Sequence, residues 1–509
     1  MKRNSRWWLA HGASALLAAV VLSSCVDEKI VYRDGPNFVA PPASAANFIG
    51  YSDEAAKKTV CGACHATQQA KWATTGHAKA WSTLEANAGK AALCEGCHTV
   101  SANGNAATGS VGWTATSDKR YHDVQCESCH GAGLTHVSGP ARGQMLPSAL
   151  AAKNLTNGCG ECHSGTHHPF VEEWSKSRHA TSYTRPVWNG ATATAPLVPL
   201  GPNPGCQSCH IGQTILKAWG VNTNYVEKDK ATKLADTPFG VTCIVCHDPH
   251  GSSNPNQLRF PVTSSDPEQN LCVKCHNRRG NPDFTGNRDT PHAAHGPLVF
   301  GTAGWWPPGV NFEETQSSHG AGKNPTLCAT CHVQNYSVSD AGGKFQVQVV
   351  GHRFLPTPCV DGNKNPTDNQ DCAITARSFK SCADASCHSH TEASARTALE
   401  TAEADIEFLA ATLQVMLNSP LVPASQKLPA AAGKVTSARG AAYNIALASS
   451  AGAAAHNPFL VKALLRASMV QVNKEYGVAL PPGITPRMLA PYDTRVMPTR
   501  PLVVGGDSN

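Results

Sequence analysis

The stretch Cys61-Gly-Ala-Cys64-His65 opens a series of eight Cys-x-x-Cys-His copies that runs along most of the chain. Two thiols one helical turn apart can each bond to a vinyl group of the same haem, and the adjacent imidazole can bind the iron. Zinc ribbons also use Cys-x-x-Cys pairs, but only 23 of the 509 residues are histidine. A histidine directly after all eight pairs therefore indicates covalently attached haem c. The other seven copies comprise Cys94, Cys97 and His98; Cys126, Cys129 and His130; Cys159, Cys162 and His163; Cys206, Cys209 and His210; Cys243, Cys246 and His247; Cys272, Cys275 and His276; and Cys328, Cys331 and His332.

A ninth attachment site is predicted near residue 385. Cys382-Ala-Asp-Ala-Ser-Cys387-His388 is a stretched Cys-x4-Cys-His form of the motif, and Cys372 is the alternative partner for Cys387. We prefer the short form because less backbone must loop out. Cys359 and Cys372 would then remain to form a disulfide, which an oxidising compartment permits. We therefore predict nine haems, eight of them on the regular motif.

The segment between Cys359 and Cys372 has a second interpretation. Its oxygen-bearing side chains alternate from Asp361 through Asn363 and Asn365, as they do in calcium loops. The segment has only three carboxylates, so a solvated turn built on Asx side chains is preferred. A calcium ion is the weaker alternative.

The first 24 residues have the layout of a bacterial lipoprotein signal peptide. Lys2, Arg3 and Arg6 precede a short apolar stretch that ends in Leu-Ser-Ser-Cys25. We predict that Cys25 becomes the lipidated first residue and anchors an exported protein to the outer membrane, on its periplasmic or cell-surface face. Ordinary cleavage that leaves an unmodified thiol is the alternative.

The amino-acid composition restricts what can fill the protein interior and which classes of partner are expected. Aromatic residues make up only 6% of the chain, too few to fill the core of 509 residues, whereas 41% hydrophobic content is too high for general disorder. Loss of residues 1–24 removes three cations and lowers the net charge from +6 to +3. Each haem then adds two propionates, so the basic balance gives no reason to expect nucleic-acid binding.

Further histidines are available for the second axial position of each haem. His136 and His250 each follow a proximal histidine by a few residues, too close to reach the far face of the same haem but able to reach a neighbouring one. The predicted distal ligands are His77, His136, His179, His250, His292, His319, His352, His390 and His456. The spares are His122, His167, His168 and His295, of which His168 and His295 are the first substitutes.

The motifs divide the chain into a long haem region and flanking segments. Residues 25–55 are polar and rich in Pro and Ala, and they are predicted to form a tether. Between residues 56 and 392 the motifs alternate with Gly, Pro and Asn, which exclude long helices and a continuous sheet. We predict a mostly α fold with a high loop content, in which short helices wrap around a chain of covalent haems.

The C-terminal part, residues 393–475, is predicted to be helical. Apolar residues step by three and four over 399–416, a second helix is expected at 435–448, and a third begins at the Asn457-Pro458 cap. We predict a helical hairpin or three-helix segment that packs on the last haems, with a coiled-coil dimer as the rival. Residues 476–509 are Pro-rich and predicted to form an extended tail.

Several stretches resemble exported multihaem c-type cytochromes of dissimilatory metal-reducing bacteria. The resemblance implies electron transfer across or beyond the outer membrane, through close chains of bis-histidine haems. It also implies redox partner proteins at the envelope, among them an outer-membrane porin or other cytochromes. The stretches that carry it are Cys126-Glu-Ser-Cys-His-Gly-Ala-Gly, Cys243-Ile-Val-Cys-His-Asp-Pro-His-Gly, Gly351-His352-Arg-Phe, Gly440-Ala-Ala-Tyr-Asn and His456-Asn-Pro. The stretched ninth motif and the Cys359/Cys372 pair depart from the simplest members.

Three functions compete at this point. The preferred one is an electron carrier with no catalytic residues, because iron between two imidazoles has no open position for a substrate. The second is a reductase of the nitrite, hydroxylamine or tetrathionate type, which requires one five-coordinate iron. The third is a cytochrome that polymerises into a filament.

The haem content tests the count of nine. We expect nine haems per polypeptide when haem absorbance is compared with protein concentration, and an intact mass that includes acylation at Cys25. Eight haems would remove the stretched motif from the set, and a colourless protein would contradict the whole interpretation.

Overall fold

The computed structural model describes residues 47–86, 94–101, 111–138, 159–189, 192–199, 204–221, 239–282, 290–310, 317–322, 324–383, 387–427 and 435–481. The predicted signal peptide, the lipid anchor at Cys25, and most of the tether and of the Pro-rich tail lie outside these residues. The predicted domain boundaries stay predictions.

The haem-motif region consists of short helices joined by turns. No α-helix described between residues 47 and 390 exceeds seven residues. A representative helix, Cys126–His130, begins beside Gln125, whose N–H donates to Ser128 Oγ at 3.2 Å, and ends at Gly131, whose φ of 81° suits glycine. The mostly helical, loop-rich fold is as predicted.

The helices of this region are, in chain order, α1 Ala66–Trp72, α2 Ala80–Glu85, α3 Glu95–His98, α4 Trp113–Thr116, α5 Cys126–His130, α6 Leu134–Ser138, α7 Cys159–Cys162, α8 Phe170–Ser175, α9 Pro204–His210, α10 Gly212–Ala218, α11 Cys243–Cys246, α12 His295–Val299 and α13 Cys328–His332. Single 3₁₀ turns occupy Val60–Ala63, His77–Lys79, Lys119–Tyr121, Pro255–Gln257, Ile374–Ala376, Lys380–Cys382 and His388–His390.

Among the described residues, three antiparallel two-stranded hairpins interrupt the helices, where only irregular loops were expected. In the last hairpin, polar and apolar residues alternate on both strands, so Val338 pairs with Val347 and Tyr336 with Val349. Its turn contains Gly343, with a φ of 80°. The hairpins are β1 Tyr51–Asp53 with β2 Lys58–Thr59, β3 Thr184–Asn189 with β4 Thr192–Pro199, and β5 Tyr336–Ser339 with β6 Phe345–Val349.

The C-terminal part contains the three predicted helices: α14 Glu392–Asn418, α16 Ser437–Ala448 and α18 Pro458–Tyr476. The short helices α15 Ala424–Lys427 and α17 Ala453–His456 lie between them. The predicted cap is present, because Asn457 accepts a hydrogen bond from the Leu460 N–H at 3.0 Å and proline occupies the first helical position. None of the helices in the described part of the chain has the length and apolar run needed to cross a bilayer.

The largest apolar core lies in this three-helix segment. Its fully buried members include Leu413, Leu447 and Leu464, one from each long helix. The other clusters among the described residues lie in the haem-motif region and have only three buried members each. The motif region therefore has little apolar interior of its own, as expected if haems fill it.

A buried polar contact joins the three-helix segment to the motif region. The Asn444 side chain accepts from the Trp305 N–H at 2.8 Å and donates to the Trp305 carbonyl at 2.8 Å. Gly440 lies directly against the Trp305 indole, where a Cβ would come within 2.1 Å of the ring. The close approach of helix α16 therefore requires glycine at this position.

The core of the three-helix segment can be tested on one helix. Leu413 is fully buried, whereas Val415, two residues later, is 69% exposed. We expect Leu413→Ala to lower the free energy of unfolding by roughly 2–5 kcal/mol because it leaves a cavity. Val415→Ala should change that energy by less than about 0.5 kcal/mol. Denaturant unfolding followed by far-UV circular dichroism measures both variants, and equal losses would contradict the packing described.

Candidate functional site

Each regular motif is shaped by one turn of helix. The His163 N–H donates to the Cys159 carbonyl at 2.8 Å, and the His247 N–H donates to the Cys243 carbonyl at 2.8 Å. Residues four apart in such a turn share one face, so the first cysteine and the histidine point to the same side. Equivalent bonds join His65 to Cys61 at 2.9 Å and His276 to Cys272 at 3.1 Å.

The ninth motif has both of its short-form cysteines available. Cys359 and Cys372 form a disulfide with a Cα–Cα distance of 6.2 Å, so the predicted pairing is confirmed. Cys382 and Cys387 lie outside it, each partly buried. The disulfide consumes the alternative partner Cys372, which favours the Cys-x4-Cys-His form.

The loop inside this disulfide forms an Asx turn. Asp361 Oδ1 accepts hydrogen bonds from the N–H groups of Asn363 and Asn365, both at 2.9 Å. These bonds lower the pKa of Asp361. The carboxylate is thus engaged by the loop itself, which is the preferred interpretation of this segment. The calcium hypothesis stays a prediction.

The fold places eight of the nine motif histidines opposite a histidine from another segment of the chain. Each ring centroid lies about 3.1 Å from the iron, since a metal–imidazole bond is about 2.0 Å long and the ring radius is about 1.1 Å. Two ligands on opposite sides of one iron therefore lie about 6.2 Å apart between ring centroids. The eight observed centroid distances all lie between 6.1 and 6.4 Å. The pairs are His65 with His136, His163 with His77, His130 with His250, His276 with His179, His210 with His292, His247 with His352, His388 with His319, and His332 with His456.

Backbone carbonyls orient many of these imidazoles. His247 Nδ1 lies 2.8 Å from the Asn256 carbonyl, and His332 Nδ1 lies 2.8 Å from the Phe354 carbonyl. When Nδ1 donates its proton to a carbonyl, Nε2 is left with a lone pair for a metal. The same contact occurs between His98 and Ala80, His210 and Ser182, His319 and Ala455, and His352 and Val350.

Burial lowers the pKa of several of these imidazoles. Desolvation, helped by neighbouring histidines, lowers the pKa of His163 and His179 to about 4. The same causes lower the pKa of His276 and His456 to about 3. A neutral imidazole is the form that binds a metal, so these side chains need no proton loss near pH 7 to act as ligands.

One connected cavity runs past the fourth to ninth motifs. Its volume is about 3950 Å³, several times the roughly 300–1,000 Å³ of a pocket for one small ligand. Cysteines and histidines of all six motifs line it, together with the opposite histidines of their pairs. These residues thus line one continuous, partly open space that has room for a row of large flat groups.

Thiols of different motifs lie near one another. These neighbours show which attachment sites are adjacent in space. The thiol pairs close enough to shift each other's pKa most strongly are Cys61 with Cys126, Cys97 with Cys162, Cys159 with Cys243, Cys209 with Cys275, and Cys272 with Cys328. Thiols within electrostatic range are Cys129 and Cys159, Cys246 and Cys275, and Cys331 and Cys382. When the nine motifs are numbered in chain order, these neighbours form a row of sites in the order 1-3-4-6-7-8-9. Site 2 lies beside site 4, and site 5 lies beside site 7.

Comparisons with known proteins agree with the attachment motifs. A family model for cytochrome c554 and c-prime matches residues 60–131 and 158–248, and a model for the doubled CXXCH motif matches residues 237–281. The matched segments contain the first seven motifs. The chain is a multihaem c-type cytochrome.

Two individual proteins resemble this cytochrome. The multihaem cytochrome MtrA of Shewanella baltica (strain OS185) is 25% identical over 174 residues, which cover 31% of this chain and 44% of MtrA. The match therefore spans less than half the length of that relative. An undecahaem cytochrome from the S-layer of Carboxydothermus ferrireducens has 17% sequence identity and a TM-score of 0.45, covering 86% of this chain and 70% of that chain.

The second motif is the one whose histidine lies outside the eight pairs. Neither its proximal His98 nor the predicted ligand His390 belongs to the eight pairs found among the described residues. His390 lies two residues after His388, beside the ninth site. His168, a spare in the sequence analysis, has its pKa lowered by desolvation first, then by His167, and least by His98, which places it in the neighbourhood of His98. We propose His168 as the distal ligand of the second haem.

Some side chains that shape the haem sites gave no signal in the sequence. Glu173 accepts hydrogen bonds from the N–H groups of Val350 at 2.9 Å and His352 at 2.7 Å, which fixes the loop that carries His352. Phe170 lies between the rings of His163 and His352, with centroid distances of 5.5 and 4.9 Å. A lone Glu or Phe in a helix is common, so only its neighbours in space reveal its role.

The assignment of the second haem can be tested by removing either histidine. We expect His168→Ala to leave one iron five-coordinate and to add a high-spin ferric signal to the electron paramagnetic resonance spectrum. His390→Ala is the matched control and should leave the spectrum low-spin. The reverse result would restore His390 as the ligand and overturn the proposal for His168.

Proposed function

We propose that this cytochrome carries electrons along a chain of low-potential bis-histidine haems at the cell envelope. The observation that carries the proposal is the set of eight imidazole pairs at 6.1–6.4 Å. An iron held on both faces has no position for a substrate, so it can only gain and lose an electron. The protein supplies distance and orientation, and haem supplies the redox chemistry.

The proposed low potentials rest on the kinds of ligand that the chain offers. A methionine ligand raises the potential of a haem relative to a second histidine. Met416 and Met469 are both buried in the three-helix core, away from the haem cavity. The ligand positions beside the motifs are filled by histidine instead.

Contact between attachment sites supports transfer along the chain. The thioether sulfur of each site lies at the edge of its porphyrin, so sulfurs in contact bring two porphyrin edges together. The cysteines of sites 1 and 3, 4 and 6, and 7 and 8 lie close enough to shift each other's pKa, which supports such an approach. We propose that the haems follow the same order as these sites, 1-3-4-6-7-8-9.

The cellular setting belongs to the same proposal. We infer export, a lipid anchor at Cys25 and a place on the outer membrane, on its periplasmic or cell-surface face. The signal-like start of the sequence supports this inference. Redox proteins of the envelope, including a porin or other cytochromes, would be the partners, and metal oxides outside the cell would be among the final acceptors.

One observation favours a second candidate function. His98 is outside the eight imidazole pairs, so the second haem is the place where an open iron would lie if His168 does not bind it. A reductase of the nitrite, hydroxylamine or tetrathionate type needs such an iron. The competing functions therefore differ at one haem.

Carbon monoxide distinguishes the two functions, because it binds ferrous haem only where an axial position is open. We expect the fully reduced protein to show no spectral change with carbon monoxide. We also expect reoxidation of the reduced protein by an insoluble ferric oxide.

Two outcomes would contradict the proposed electron carrier. One is a carbon monoxide complex at about one haem in nine together with turnover of nitrite, hydroxylamine or tetrathionate. The other is a reduced protein that ferric oxide leaves reduced. Denatured protein, whose haems have lost their second imidazole, is the positive control for carbon monoxide binding.

A further inference from the structure

Among the described histidines outside the eight imidazole pairs, His295 stands out because its ring contacts the ring of a motif histidine. Its Nδ1 lies 3.2 Å from Nδ1 of His276, the proximal histidine of the seventh site. The two rings meet edge to face, with centroids 5.1 Å apart. His295 belongs to none of the eight pairs, so its role is not that of a ligand to one of those irons.

The chemistry of the seventh site fixes the direction of this hydrogen bond. His276 faces His179 across the haem position, with ring centroids 6.2 Å apart. If Nε2 of His276 binds the iron, its Nδ1 carries the proton and must donate it. His295 must then accept through Nδ1, and the proton of the neutral His295 ring lies on Nε2.

In six other histidines of the motifs or pairs, the acceptor at Nδ1 is a backbone carbonyl, whereas at His276 it is a side chain. Their Nδ1–carbonyl distances are 2.7–3.2 Å. An acceptor at Nδ1 increases the basicity of the ligand and holds the ring in one orientation. At the seventh site these two effects depend on the identity of residue 295, whereas elsewhere they depend only on the path of the main chain.

The backbone around His295 is fixed to the seventh site. The Gly296 N–H donates to the His276 carbonyl at 2.9 Å. A Cβ at Gly296 would come within 2.5 Å of Val273, so glycine allows helix α12 to approach the motif this closely. At the other end of the helix, Asn457 Nδ2 donates to the Leu298 carbonyl at 2.9 Å. His295 is therefore held in place from both sides.

The His295 ring also contacts a histidine of the eighth site. Its ring centroid lies 5.2 Å from that of His456, the histidine paired with His332. His456 Nδ1 is buried and has no hydrogen-bond partner among the residues that the structure describes. The seventh and eighth sites are themselves neighbours through the thiols of Cys272 and Cys328.

We propose that His295 is a positioning residue that sets the ligand strength of His276 and thereby lowers the reduction potential of the seventh haem. A more basic imidazole stabilises ferric iron more than ferrous iron, so the accepted hydrogen bond favours the oxidised state. The inference rests on the haem-ligand assignment within the proposed function, and it adds a residue that binds no iron.

Redox titration of the full-length holoprotein, followed by haem absorbance, tests this role. We expect His295→Leu to shift one component of the titration to higher potential and to alter one low-spin signal in the electron paramagnetic resonance spectrum. His295→Asn places an amide oxygen near the position of Nδ1 and should restore most of the original potential. A count of nine haems in each variant verifies that attachment is intact.

Two results would overturn the proposal: unchanged potentials in His295→Leu, or equal shifts in His295→Leu and His295→Asn. The second result would mean that the ring only fills space. The titration is an equilibrium measurement without a biological acceptor. Its failure is therefore distinct from failure of the proposed electron transfer, which the ferric oxide experiment decides.

Discussion

Two imidazoles that share one iron must lie about 6.2 Å apart between ring centroids, and much of this chain is arranged around that spacing. One member of each pair is fixed by its motif, because it follows a cysteine within a single helical turn. The other member comes from a separate segment, such as the loop that carries His352 or the cap of helix α18 that carries His456. Each pair therefore ties two remote parts of the chain together.

This constraint explains where the apolar core is and where it is missing. The haem-motif region has apolar clusters of three buried residues, too few to hold so long a segment together. The three-helix segment has a conventional core of leucine, valine and methionine. The first region is expected to depend on covalent haem for its stability, and the second on burial of apolar surface. Asn444 and Trp305 join the two kinds of structure through buried hydrogen bonds.

The groups around the imidazoles determine how each ring is oriented. Backbone carbonyls accept the Nδ1 proton of six of these histidines, so the orientation of those rings follows from the fold rather than from a nearby side chain. His276 is different because a side chain, His295, takes the place of the carbonyl. Carboxylates fix the loops instead. Glu173 fixes the segment before His352, and Glu127 accepts three backbone N–H groups, from Ile49, Gly50 and Gly133.

The sequence by itself determined the chemistry of attachment. Covalent haem needs two thiols and an imidazole at fixed local spacing, and such a pattern is complete within five residues. The three C-terminal helices could also be predicted, because helical periodicity and the Asn457-Pro458 cap are local signals. The three β-hairpins were missed, since their short strands lie in segments that are rich in turn residues.

Only the tertiary structure decided which histidines face each other. Every spare histidine has the same donor atoms, and the sequence does not say which two segments meet across an iron. For the same reason the proposals for His168 and His295 rest on neighbours in space that the sequence does not give. The order of the sites in space, with the second and fifth beside the main row, also follows from contacts between cysteines far apart in the chain. Attachment depends on neighbours in sequence, whereas axial ligation and haem order depend on neighbours in space.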